Sequence, residues 1–139
     1  RLFAYERPFE FRSVEPWYDD RPRAAERHLW FRLSDPLPDD QTLNRCLLAY
    51  LSDFHLLETS NLPHGVSYRK GDVTMASIDH AMWFHRPVPM DDWLLYALNS
   101  PSASGSRGMA FGSIFDRQGR LVASAAQEGL MRLRGEEIQ

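Results

Sequence analysis

Cysteine is almost absent from the 139-residue chain. Cys46 stands alone, which excludes an internal disulfide framework and a zinc site built on cysteines. Lysine is as scarce: Lys70 is the single lysine among 16 basic residues, set against 19 acidic ones for a formal net charge of −3. A chain so balanced is not a generally basic nucleic-acid binder, and only a local arginine patch stays open. No apolar run approaches the roughly 18 residues of a membrane-crossing helix. No Asn-x-Ser/Thr acceptor occurs, and the C-terminal Glu136-Glu137-Ile138-Gln139 carries neither a Ser-Lys-Leu nor a Lys-Asp-Glu-Leu address. The expected compartment is the cytoplasm. The first residue is Arg1 rather than Met, so the expectation is a piece of a longer or processed chain, and no N-terminal targeting signal is read from it.

What is present is ordinary globular material. The chain is 43% hydrophobic and 25% charged, near the average for folded domains. Its length suits one domain with a core that needs no staples. Residues 1–25 are expected to form an N-terminal strand and connector, and residues 26–139 the main domain.

Periodicity supplies the elements. Phe9 to Val14 alternates apolar and polar, as does His28 to Leu33, where Leu29, Phe31 and Leu33 share one face and Trp30 the other. Pro36 to Asp40 stops that strand and starts a helix, with Asp39 or Asp40 placed to accept from the first-turn amides. Leu43, Cys46, Leu47, Tyr50, Leu51 and Phe54 then recur at helical spacing, which predicts one long helix buried along that stripe and enclosed through Leu56 and Leu57. Beyond Leu62, glycines and prolines punctuate four runs of strand composition: Met75 to His85, Trp93 to Asn99, Met109 to Phe115 and Leu121 to Leu133. Asp116-Arg117-Gln118-Gly119 joins the last two at hairpin length. The segregation of one long helix from a run of strands predicts an α+β fold, a curved antiparallel sheet wrapped against a central helix.

Polar groups inside these apolar elements are the candidates for chemistry. Asp53 falls on the edge of the helical stripe, beside Phe54, Leu56 and Leu57, which suggests a partly dry carboxylate fit to act as a general base. The plain alternative is a solvated helix-flank aspartate. Gln127 shares a strand face with Ala123, Ala125 and Gly129, small residues that leave room for a helix or ligand, and its amide can orient a water. A glutamine facing solvent from an edge strand is the alternative.

Asp79-His80 resembles a dyad, but adjacent residues of one strand point to opposite faces. His80, among Ile78, Met82 and Phe84, reads as a core or interface histidine. The five histidines lack metal-ligand spacing, so no metal site is expected. Ser100 to Gly108 is small and polar, fit either to cradle a phosphate or to form a bulged strand, and it lacks the Gly-Lys-Ser/Thr of a P-loop. Arg86 and Arg107 are candidate phosphate partners or ordinary structural arginines. No Gly-x-Ser-x-Gly elbow exists and Cys46 lies mid-helix, which argues against a covalent nucleophile.

The stretch Ala76-Ser77-Ile78-Asp79-His80-Ala81-Met82-Trp83-Phe84-His85-Arg86 resembles the acyl-CoA thioesterase II family, whose members are double hotdogs. The likeness continues through Tyr50-Leu51-Ser52-Asp53, Leu62-Pro63-His64-Gly65, Trp93-Leu94-Leu95-Tyr96, Ser102-Ala103-Ser104 with Arg107-Gly108, Leu121-Val122-Ala123-Ser124 and Gln127-Glu128-Gly129. The resemblance implies a single hotdog, matching the C-terminal half of such a protein, without an added cofactor. It also implies a second hotdog as partner, either a missing N-terminal half or another copy.

By the same resemblance Asp53, Ser77 and Gln127 form a water-activating trio, while Asp79 and His80 are structural. Where the family pattern carries Thr, Ser77 keeps the hydroxyl and loses one methyl. The implied reaction is hydrolysis of a fatty acyl-CoA thioester to fatty acid and coenzyme A, with backbone amides, at a helix N-terminus for example, meeting the oxyanion. Two other readings stay open. One is a hotdog hydratase acting on enoyl thioesters, disfavoured because Asp79 and His80 should not pair. The other is a catalytically silent half serving as a pairing module or acyl-CoA binder.

Overall fold

Strand β1 (Phe9–Ser13) and strand β2 (Glu26–Leu33) open the fold as an antiparallel pair in which Phe11 stands opposite Phe31. In this computed structural model, which describes residues 8–16 and 21–134, the alternation read from the sequence is realised: Leu29, Phe31 and Leu33 are buried. Residues 17–20 of the predicted connector, the chain's first seven residues and the C-terminal 135–139 lie outside the described residues.

The helix α1 (Gln41–Ser52) begins where expected. The Asp40 carboxylate accepts from the Thr42 and Leu43 amides, satisfying two donors that have no partner within the helix. Its buried face differs from the predicted stripe: Asn44, Leu48, Leu51 and Ser52 are enclosed, whereas Cys46 is exposed and Leu43 and Tyr50 are 37% and 62% exposed. Polar staples cause the rotation. The Asn44 amide oxygen accepts from the Met90 amide at 3.0 Å, and Gln41 bonds the Val88 backbone in both directions, so the helix docks through residues a hydropathy pattern discounts.

The helix also stops sooner than predicted. Asp53 caps it and His55 adopts a left-handed φ of 65°, turning the chain into a 3₁₀ segment, Leu57–His64, that buries Leu56 and Leu57 off the helix axis.

Strands β3 (Val73–Ser77), β4 (Ala81–Phe84), β5 (Leu94–Ser104), β6 (Arg107–Phe115) and β7 (Leu121–Leu133) complete one antiparallel sheet in the order β1-β2-β5-β6-β7-β3, with β4 also paired to β7. The run predicted as one strand from Met75 is therefore two, and the alternation of faces expected across it does not carry through. The Ser100–Gly108 stretch continues β5 past an irregularity between Asn99 and Ser102 and turns into β6, the bulged-strand alternative. Gly119, at φ 79°, closes the Asp116–Arg120 hairpin as expected.

Leu48 and Leu51 of α1 pack with Leu29, Phe31, Leu94, Tyr96, Leu98, Ile114 and Ala125 of the sheet in one core. The 3₁₀ segment comes close to β7 because Gly129 has no side chain: a Cβ there would stand 2.1 Å from Leu57 Cδ2.

Candidate active site

Three elements converge at the C-terminal end of α1. Asp53 is the cap residue of that helix. Ser77 ends β3, directly opposite Gly129 of β7. Gln127 lies two residues earlier on β7, paired across to Ala110, on the face that packs under the helix. Gln127 is 1% exposed, so the solvent-facing alternative fails. Of the small neighbours that marked its face in the sequence, Gly129 admits Leu57 of the 3₁₀ segment that follows the helix.

The amide of Gln127 joins the other two. Its Nε2 donates to Asp53 Oδ1 at 2.6 Å and to Ser77 Oγ at 2.9 Å. Both amide protons are thereby used, and Ser77, as acceptor, keeps its own O–H for another partner. Among the described residues the buried Gln127 Oε1 has no hydrogen-bond partner, an acceptor suited to a donor from a small hydroxylic molecule. A carboxylate at the negative end of a helix is electrostatically unfavourable, and the Gln127 amide offsets that.

The Asp53 side chain is 62% exposed, so the partly dry setting expected for it is absent from this chain by itself. The expectation of a helix N-terminus at the site is also not met by α1. That helix presents its C-terminus here, and its N-terminus stands about 18 Å away by helical rise.

Beneath the helix end, the buried Tyr96 hydroxyl donates to the Ser52 carbonyl at 2.7 Å. Burial, reinforced by the charge of Asp53, holds that phenol well above its usual pKa.

The Asp79-His80 pair is not a dyad, though for a different reason than strand alternation. Residues 78–80 form a break between β3 and β4, opposite only two residues of β7. Asp79 Oδ1 accepts the Glu128 amide at 2.8 Å, filling in for a missing ladder bond. His80 turns the other way: its Nε2 lies 2.8 Å from Ser52 Oγ and its Nδ1 4.0 Å from Asp53 Oδ1. The sequence, taken as one continuous strand, put His80 on a face with Ile78, Met82 and Phe84 and read it as a core or interface histidine.

The candidate phosphate partners are engaged within the protein, Arg86 with the Leu121 carbonyl and Arg107 with Glu128. Among the described residues no group of three or more His, Cys, Asp or Glu side chains is placed to hold a metal ion, and no helix is long and apolar enough to cross a membrane.

The family model described as acyl-CoA thioesterase matches residues 2–130. The chain belongs to that family. It is 42% identical over 132 residues to acyl-CoA thioesterase 2 of Haemophilus influenzae, covering 94% of this chain and 46% of the relative. It is 39% identical over 137 residues to acyl-coenzyme A thioesterase 8 of Mus musculus, covering 96% of this chain and 42% of that protein. The chain thus spans about half the length of the relatives it matches. A crystal structure of an acyl-CoA thioesterase II from Mycobacterium marinum superposes with a TM-score of 0.79 at 41% identity, over 92% of this chain and 50% of that one. A hot dog fold protein from Alicyclobacillus acidocaldarius shares the architecture alone, at TM-score 0.70 and 18% identity over 90% of this chain and 46% of that one. The fold is a hotdog.

Proposed function

We propose that this acyl-CoA thioesterase family domain hydrolyses fatty acyl-CoA thioesters, with Asp53 as general base on a water held beside Ser77. The observation that carries this reading is the convergence of Asp53 Oδ1 and Ser77 Oγ on one buried amide, that of Gln127. Water oxygen attacks the thioester carbonyl carbon while its proton passes to Asp53. Collapse of the tetrahedral intermediate breaks the C–S bond, and the departing coenzyme A sulfur takes up that proton. Gln127 acts as the clamp, because its two protons fix the carboxylate and the hydroxyl relative to each other. A base so positioned contributes about 10²- to 10⁴-fold in rate, some 3 to 5 kcal/mol.

The exposure of Asp53 supports a second element of the proposal, that another hotdog domain closes the site. Leu43 and Tyr50, about two turns apart on α1, are 37% and 62% exposed, apolar side chains that such a partner would cover. The same exposure favours, for this half alone, the reading of a silent pairing module.

Thiol release from a long-chain acyl-CoA, measured on the full natural polypeptide that carries this chain, separates the two. Asp53→Asn is expected to lose at least about 10²-fold in kcat with its fold intact. Wild-type turnover in that variant would overturn the role of Asp53. Turnover by a polypeptide with two hotdogs but not by this chain alone would locate the deficit in the lack of a second hotdog.

A further inference from the structure

Ser52 is fully buried, and its hydroxyl sits among three neighbours: the Ala49 carbonyl at 2.8 Å, His80 Nε2 at 2.8 Å and Met82 Sδ at 3.0 Å. A hydroxyl has one proton, and the Ala49 carbonyl can only accept. Donor counting therefore assigns the Ser52 proton to Ala49 and a proton to His80 Nε2, which donates to Ser52 Oγ. In the neutral ring Nδ1 is then an acceptor, and it faces Asp53 Oδ1 across 4.0 Å. That gap is too long for a direct hydrogen bond. It does match two acceptors bridged by one water, which at about 2.8 Å from each would subtend an angle near 90°.

We propose that His80 is a further catalytic residue, its Nδ1 accepting a hydrogen bond from the second O–H of the hydrolytic water, whose proton stays on that oxygen, while Asp53 takes the first proton and passes it to the departing sulfur. This rests on the reading of Asp53 as general base. With one proton aimed at each acceptor, the water's lone pair is directed away from both toward the thioester carbon, a constraint that one carboxylate cannot impose. The ring is built for this placement. The break at 78–80 is pinned by Asp79 on the Glu128 amide and by the Ile78 amide on the Glu128 carbonyl at 2.9 Å, and Ser52 fixes the far nitrogen. His28 is held by Glu15, His55 by Glu58 and His85 by Ser124, whereas His80 is the imidazole that faces Asp53.

Two near-isosteric variants separate this role from a structural one, in the full natural polypeptide with thiol release from a long-chain acyl-CoA. His80→Gln places an amide where Nε2 was, keeping the Ser52 contact and losing the Nδ1 acceptor. His80→Asn does the reverse. The expected result is a kcat loss of about tenfold or more for His80→Gln with KM within about twofold, and recovery to within about threefold of wild type for His80→Asn. Thermal unfolding of each variant confirms that it is folded. Turnover of His80→Gln equal to or above that of His80→Asn would overturn the inference, since the Ser52 contact would then be the feature that counts. Asp53→Asn run beside them keeps the two claims apart. An active Asp53→Asn sinks the base itself, whereas an inactive one beside a fully active His80→Gln sinks only the role of His80.

Discussion

The ring of Tyr96 occupies the space where a side chain on Gly112 would stand: a Cβ there would lie 2.2 Å from Tyr96 Cε2 and 2.9 Å from its hydroxyl oxygen. Tyr96 is 1% exposed and reaches through this slot to the Ser52 carbonyl, so the glycine lets the sheet hold the helix end that carries Asp53.

Gly112→Ala is therefore expected to destabilise the fold by about 1 to 3 kcal/mol, the cost of overpacking a filled core. Tyr96→Phe keeps the ring and strands the carbonyl, for a loss of about 1 to 1.5 kcal/mol. Both should lower turnover beyond what the unfolded fraction explains, because the helix end loses its anchor. Denaturant unfolding with parallel assays checks this, and a stable Gly112→Ala with full activity would show that the slot has slack.

Gln127→Glu tests the clamp. The variant sets a carboxylate where the amide now lies 2.6 Å from Asp53 Oδ1. Two carboxylates that close cannot both ionise, so one of the pair is held protonated above its unfolded pKa. Stability relative to the parent is then kept in acid and lost as pH rises through that raised value, a trend that urea midpoints across pH will display. Turnover at neutral pH should fall by at least about 10²-fold.

Much of this arrangement is legible in the chain itself. The face shared by Ala123, Ala125, Gln127 and Gly129 follows from the period of a strand, and Leu29, Phe31 and Leu33 are buried as their alternation requires. The buried side of α1 is not legible, because Asn44 and Ser52 are enclosed by hydrogen bonds while Leu43 and Tyr50 are left outside. The position of His80 is hidden for a related reason. Asp79 replaces a backbone partner with its side chain, so the strand breaks without the glycine or proline that marks a break in sequence. The end of α1 at Asp53 rests on the left-handed turn at His55, which no apolar pattern signals.

Acid should weaken the fold through Glu58, on the 3₁₀ segment that follows the site. His55 Nδ1 lies 3.1 Å from Glu58 Oε2 and Arg27 Nη1 lies 3.5 Å from the same oxygen. The hydrogen bond from His55, with help from Arg27, outweighs burial and holds the Glu58 carboxyl below its ordinary value of 4.5. A carboxylate whose folded pKa is depressed stabilises the fold at pH values above the unfolded one, and that contribution disappears as pH falls below 4.5 and through the folded value. Glu58→Gln removes the titration, so the variant should be less stable than the parent at neutral pH and the difference should shrink steadily in acid. Thermal unfolding midpoints from pH 7 downward measure it, and a difference that stays constant across that range would place the contribution of Glu58 in packing rather than charge.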